Sequence, residues 1–430
     1  MRARRPRTAR SVPDALTALC RGEMPDLPAD PTVQAQLVTA VRHHRIAPLA
    51  HVGLRDLSPD VAARLRPDRD AAIAMHLRTS GVLDRLARLL PDVPWATFKG
   101  PVLSELAHPV PGLRSYRDLD VLVPPDALRD VASRFAGAGW TVADWAETLT
   151  LPEVRGEMHW RTPAGVMIDL HWSMLNMAAE RRSLHVVTDD LLARRRTTRL
   201  GLTSAPVLDP VDAFVHVCLH AAMSGADRML MLLDVDQLAR QVADWDCVVA
   251  RARQWRGASA MALVLRRTQA VLGTPLPYDI DRRLGSSRAF ASVTRLTDRL
   301  VGVPGIGQDA SLARLVSRSV RPSTSATFGA LGIKGVRAAW GLLLPPAEAR
   351  AEHTPADARA LEAYLRAVED ELQGARQWGT RLSTARFRAG QPQRRERRSA
   401  GRVEAATVDD EPGVRPHLAI DLRDPDAQDR

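Results

Sequence analysis

The sequence predicts an α+β protein, a small mixed sheet set between two helical regions. Three observations carry this. Apolar residues recur at helical spacing through residues 12–90 and again after Asn176. Between about Trp95 and Trp172 the period drops to two, as strands require. Pro, Gly and Asp clusters break the chain wherever that middle stretch must turn. The expected organisation is a disordered basic arm over residues 1–11, a helical region over 12–92, the sheet core over 93–176, a helical region over 177–385 and a disordered tail over 386–430.

Taken in order, Val33, Leu37 and Val41, then Leu49 and Val52 after a break at Arg45–Pro48, mark an N-terminal apolar stripe. A second helix is expected from about Arg69 to Leu90, ended by Asp92-Val93-Pro94. Trp95–Phe98 reads as a short strand running into Lys99-Gly100, and Pro101 suits the first turn of a short helix to Ala107. His108–Leu113 is a loop, and Arg117–Val123 is a strand. Pro124-Pro125-Asp126 opens a helix through Phe135 that Gly137 or Gly139 ends. Thr141–Trp145, Glu157–Thr162 and Val166–Trp172 are further strands, the last two joined by a Thr-Pro-Ala-Gly turn. Beyond Asn176 the pattern is read as helical throughout. Asp209 caps a helix to Ala222, another spans Arg228–Val242, breaks fall near 273–277 and 302–307, and an amphipathic helix runs from about Pro355 to Trp378.

Composition limits the function classes. The 45% hydrophobic content supports real cores, and Cys20, Cys218 and Cys247 have no paired spacing, so neither a disulfide scaffold nor a zinc knuckle is indicated. No apolar run reaches the roughly 18 residues of a spanning helix, so a cytoplasmic protein is expected. The formal charge of +10 sits mostly at the ends: +5 in residues 1–10, +6 in 386–402 and −5 in 403–430, leaving +4 for 11–385. Such blocks read as solvated tails, which disfavours a nucleic-acid groove. Among 60 basic residues only Lys99 and Lys334 are lysines. In so Arg-rich a chain, a Lys suggests a place where an ammonium suits and a guanidinium does not.

The chemistry concentrates in the middle stretch. Residues two apart on a strand face the same way, so Asp118 and Asp120 project together while Leu119, Val121 and Val123 face the other side. Paired carboxylates on a buried strand repel unless a cation joins them, and Mg²⁺ suits such oxygen ligands. Asp169, on the strand Met167–Trp172, is the candidate third acid of a two-metal site. His171 shares its face and is placed to bond a carboxylate or the substrate. Trp160 and Trp172 read as packing residues, and His216 and His220, at i and i+4, lack a third metal ligand.

The run Phe98-Lys99-Gly100, Gly112-Leu113-Arg114, Arg117–Val123, His159-Trp160 and Ile168–Trp172 resembles the bacterial family of uncharacterised nucleotidyltransferases, in the polymerase-beta-like nucleotidyltransferase superfamily. Leu219-His220, Arg228 and Leu232-Leu233-Asp234 are similar to that family's helical part. The resemblance spans roughly residues 30–240, with weaker similarity to about 375. It implies a polymerase-beta-like core that uses Mg²⁺ or Mn²⁺ at Asp118, Asp120 and Asp169, with Asp169 helping to deprotonate the acceptor. It also implies transfer of a nucleoside monophosphate from an NTP such as ATP to a hydroxyl, with a small molecule or peptide favoured over RNA. Superfamily members usually carry Gly-Ser where this chain has Lys99-Gly100-Pro101, so Lys99 and Gly100 become candidates for the nucleotide contact, with Arg114 and His171 beside them. Two alternatives stay open: glycosyl transfer from a nucleotide sugar on the same fold, and a non-catalytic nucleotide-binding regulatory module.

Overall fold

The computed structural model describes residues 11–27, 29–300 and 354–389, with isolated positions 302, 319, 327, 329 and 332. Residues 1–10 and 390–430, and most of the expected break at 302–307, lie outside the described residues. Two compact units are distinguished, Met1–Arg376 and Gln377–Arg430. Apart from the end of the last helix described, everything below concerns the first.

Four helices open the chain: α1 (Val12–Cys20), α2 (Pro31–His43), α3 (Ala47–Leu54) and α4 (Pro59–Leu89). Asp30 caps α2 by accepting from the Thr32 amide at 2.8 Å, with Pro31 in the first turn, where its missing N–H is harmless. α4 starts ten residues before the expected Arg69 and runs through Pro67, which reads as a breaker in isolation. Its buried Val61, Ala62, Leu65, Val82, Leu83 and Leu86 explain the override, since tertiary packing outweighs one lost backbone bond.

The sheet strands are β1 (Ala96–Phe98), β2 (Asp118–Leu122), β3 (Thr141–Val142), β4 (Glu157–Arg161), β5 (Met167–His171), β6 (Arg196–Leu200) and β7 (Thr203–Val207), in the order β3-β4-β5-β2-β1-β7-β6. α5 (Gly100–Leu106), α6 (Leu128–Gly137) and the short α7 (Ala146–Leu149) lie between the first strands, and α8 (Ala178–Ser183) and α9 (Thr188–Ala193) precede β6. β2 and β5 pair in parallel and β1–β2 and β4–β5 antiparallel, so the sheet is mixed.

The β6–β7 hairpin corrects the sequence reading, which made everything after Asn176 helical. Leu200 pairs with Thr203 across a two-residue loop whose Gly201 has φ +60°, a tight hairpin turn. β7 then extends the sheet beside β1 in parallel. Only Leu200, Ala205 and Val207 of the hairpin are buried apolar residues, too few to stand out as a strand alternation in the sequence.

Two cores enclose the sheet. On one face Leu119, Val121, Val123, Met158, Trp160, Ile168 and Leu170 pack with α4, α6 and residues 360–368 of the last helix, α16 (Ala358–Ala389). α6 contributes Leu128, Val131, Ala132 and Phe135, one helical stripe, and Phe135 stands edge-on to Trp160 at 5.5 Å. Both expected packing tryptophans therefore pack, Trp172 with its indole N–H on the Arg155 carbonyl. α16 begins three residues after the expected Pro355 and continues past both Trp378 and Arg386.

On the other face Ala96, Phe98 and Leu122 join a larger core with α1–α3, α10 (Pro210–Ser224), α11 (Met229–Ala239), α12 (Trp245–Gln254) and α13 (Ala258–Leu272). Asp209 caps α10 through the Val211 amide at 3.0 Å, as its Asp-Pro signature predicts. α14 (Ile280–Arg283) and α15 (Arg288–Leu300) follow. No described helix is long and apolar enough to cross a membrane.

Candidate active site

The strand register brings the acids together. In the parallel β2–β5 pair Asp120 lies directly opposite Asp169, and Leu122 opposite His171. In the antiparallel β4–β5 pair His159 faces Asp169, and Glu157 faces His171. Because alternate residues share a face, Asp118, Asp120, Asp169, His171, Glu157 and His159 all fall on one side of the sheet. Ligand atoms of Asp120, Asp169 and His171 lie within 4.8 Å of one another. Asp118, two residues before Asp120 on the same face, is not part of that closest set. The two carboxylates suit a hard divalent ion such as Mg²⁺ or Mn²⁺, and the imidazole beside them offers a nitrogen ligand.

The charges around these acids differ sharply. Burial alone would raise the Asp120 carboxyl. It is outweighed by Lys99, whose Nζ donates to Oδ1 at 2.6 Å, and by His171, whose Nε2 lies 3.1 Å from the same oxygen, so Asp120 is held well below the usual carboxylate range. The other imidazole nitrogen, Nδ1, lies 3.2 Å from Glu157 Oε2 but is not aligned for a hydrogen bond. Burial and the neighbouring Asp120 and Asp118 charges push Asp169 up to about 7. Asp118 is raised as well, by burial and Asp120, against the pull of Lys99, Arg114 and Arg45. His159 is anchored by Asp144, which accepts from the His159 amide at 2.7 Å and sits 2.6 Å from Nδ1. Burial opposes its charge, but Asp144, Asp169 and Glu157 carry it up to about 9. Its Nε2 lies 3.6 Å from Asp169.

Lys99 stands on a strained turn. Its φ is +53°, in the region that favours glycine, where β1 gives way to α5. Such a conformation costs on the order of 1–3 kcal/mol and tends to gather at functional sites. Gly100 next to it has a packing reason to lack a side chain, since a Cβ there would meet the Asp118 carbonyl at 3.2 Å and the Tyr116 ring at 3.4 Å.

Arg114 is buried, and its fork is filled by Asp234 on α11, Nε and Nη2 donating at 2.8 and 2.7 Å, while His108 Nε2 sits 2.7 Å from the same carboxylate. Asp234 thus pins the loop before β2 to the helical region. Above the sheet, α10 lays His216 edge-on to Phe98 at 5.2 Å, with the His220 ring 6.0 Å further on. Burial and Lys99 push His220 down to about 3 and His216 lower than its ordinary range, so both are neutral side chains in this wall. A cavity of about 1100 Å³ lined by Trp172, Arg181, Thr188 and Glu371 includes none of the candidate site residues.

The sequence reading overlooked Glu157, Asp144 and the pairing of Arg114 with Asp234. The first had a signal in the strand spacing of Glu157 and His159, the same as that of Asp118 and Asp120. The other two depend on contacts 15 and 120 residues apart, which no local pattern shows.

The fold and its acid-bearing sheet agree with the comparison to known families. The model of the uncharacterised nucleotidyltransferases matches residues 30–273, more than half of the chain. The protein belongs to that family, and nucleotidyl transfer is the function the membership supports. No curated protein matches the chain.

Proposed function

We propose that the protein is a metal-dependent nucleotidyltransferase with a polymerase-beta-like core, moving a nucleoside monophosphate from an NTP to an acceptor hydroxyl of a small molecule or peptide. The observation that carries this is the parallel β2–β5 register, which sets Asp120 beside Asp169 with His171 two pairs along on the same face, in a member of this family. Asp118, Asp120 and Asp169 hold Mg²⁺ or Mn²⁺, and His171 steadies Asp120 at 3.1 Å. The bound ion supplies charge neutralisation for the phosphates. Lys99 keeps a fixed positive charge beside Asp120, and Gly100, Arg114 and His171 complete the surroundings of the nucleotide.

Asp169, directly opposite Asp120 and 3.6 Å from His159 Nε2, is placed to accept the acceptor's proton. The acceptor oxygen then bonds to the α-phosphorus, the bond from that phosphorus to the bridging oxygen of the β-phosphate breaks, and pyrophosphate leaves. The chain's part is positioning and electrostatics. A cytoplasmic setting, where NTPs are present, goes with this reading.

The test is calorimetric titration with each of the four NTPs, with and without Mg²⁺ or Mn²⁺, on the wild type and on an Asp118→Asn/Asp120→Asn variant. Metal-dependent binding that the variant loses is the expected result. Equal binding by both proteins would sink the assignment of the acids. In an acceptor screen with the NTP pyrophosphate is the expected by-product, and release of a nucleoside diphosphate from an added nucleotide sugar, with no pyrophosphate from any NTP, would point instead to glycosyl transfer.

A further inference from the structure

We infer that Arg45 and Arg117 form the polyphosphate-binding rim of this site, so that the donor's phosphates are gripped from the α2–α3 turn and the approach to β2 rather than from the β1–α5 turn. This rests on the nucleotide-binding reading above and specifies which cations serve it.

The β1–α5 turn is poorly equipped to hold an anion. Pro101 has no N–H, α5 is only seven residues long, and Gly100 is packed against the Asp118 carbonyl and Tyr116. Of the cations whose fields reach Asp118, Lys99 is bound to Asp120 and Arg114 is bound by both arms to Asp234. Arg45 is different. It is exposed, and its side chain makes no hydrogen bond or ion pair among the described residues. The same holds for Arg117, immediately before Asp118. Among the described residues nothing occupies either guanidinium.

The segments that carry them are nonetheless fastened by their neighbours. Tyr116, next to Arg117, has its hydroxyl 2.9 Å from His76 Nδ1, and the loop leading to it is fastened by Gly112 to Ser104 and by Arg114 to Asp234. The Arg45 turn is fastened to the start of α11. The Met229 amide donates to His44 Nδ1 and the Leu230 amide to the His44 carbonyl, both at 3.2 Å, and Arg228 donates to the His43 carbonyl at 2.8 Å.

Arg45 itself has φ +58°. A helix that ends in this left-handed conformation normally places glycine or asparagine there. An arginine keeps the strain, on the order of 1 kcal/mol or more, for what its side chain does. Only four non-glycine residues among those described have positive φ, and two of them, Arg45 and Lys99, are the cations beside the acids. Arg45 lies in the repulsive fields of Arg117, Arg228 and Arg114, with Asp118 as the opposing charge. Arg45 and Arg117, two like charges with open forks among the described residues, are set beside metal-binding carboxylates and are complementary to a chain of phosphates.

The experiment is calorimetric titration with inorganic tripolyphosphate in Mg²⁺, followed by its competition with the NTP that binds. It compares the wild type with Arg45→Gln, Arg117→Gln, the double variant, the Arg45→Lys/Arg117→Lys pair and Arg85→Gln, an exposed arginine on α4. The wild type is expected to bind tripolyphosphate in competition with the NTP. Each Gln change weakens both ligands about tenfold, as loss of a charge-assisted bond does. The Lys pair recovers part of the affinity, and Arg85→Gln changes nothing. If Arg45→Gln disturbs the turn, Arg45→Gly, which suits the same φ, removes the guanidinium without strain. Wild-type affinity in the double variant would overturn the rim and leave the donor reading standing, as would NTP binding without tripolyphosphate binding. A wild type that binds neither would remove both.

Discussion

On β2 and β5 one face presents Leu119, Val121, Ile168 and Leu170, and the other presents Asp118, Asp120, Asp169 and His171, one residue out of step. The apolar set is fully buried under α4, α6 and α16, whereas Asp118 and Asp169 remain partly open. The difference shows how the acids come to be adjacent. Two carboxylates do not choose each other as neighbours, since burial together with the charges of Asp120 and Asp118 raises Asp169 to about 7. The apolar face chooses the register, because a slip of one residue would turn Leu119 and Val121 out of the core. The polar face inherits the alignment and uses it.

The comparison can be broken most forcefully at Asp120. Asp120→Ala leaves Lys99 and His171 without their shared anion, and removing one partner of a buried pair costs about 3–5 kcal/mol. Denaturant unfolding should register that loss, and NTP turnover should vanish. Asp120→Asn should keep more of the stability and still lose turnover. Retention of turnover in the Asn variant would show that the polar face is structural.

The apolar face gives the next largest effect. Leu119→Ala should lose about 2–5 kcal/mol in the same unfolding measurement, the cost of emptying a fully buried leucine site. Activity per folded molecule should stay near wild type, because Val121, Ile168 and Leu170 still hold the register. A large fall in activity per folded molecule would mean that the two faces do not separate.

A smaller, pH-dependent effect sharpens the picture at the edge of the polar face. His159 is raised to about 9 in the fold, above its ordinary 6.5, so it binds protons more tightly folded than unfolded. Its stabilisation is therefore complete below about pH 6.5 and is lost as pH rises through about 9. The melting-temperature gap between wild type and Asp144→Asn should be widest at the acid end of that window and narrow above it. A gap that does not change with pH would mean that Asp144 acts only through the His159 amide.

The central strands were legible because they alternate strictly and are bounded by Pro and Gly, and Asp118, Asp120, Asp169 and His171 could be assigned to faces from that alternation alone. Helices with caps, such as the Asp209-Pro210 start of α10, were equally plain. The β6–β7 hairpin was not, because most of its residues are polar and its strand character comes from pairing. Arg114 shows the same limit in the site. Its place in a loop before the acids suggested an open cation, and only the fold brought Asp234 from 120 residues away to close its fork.

By itself, then, the sequence determined the periods, the caps and which side chains share a strand face, since these follow from backbone geometry within a few residues. Only the tertiary structure decided which strands became neighbours, which of the arginines found a carboxylate and which, among the described residues, did not. Those outcomes depend on contacts between distant segments, and on the burial and charge that such contacts create.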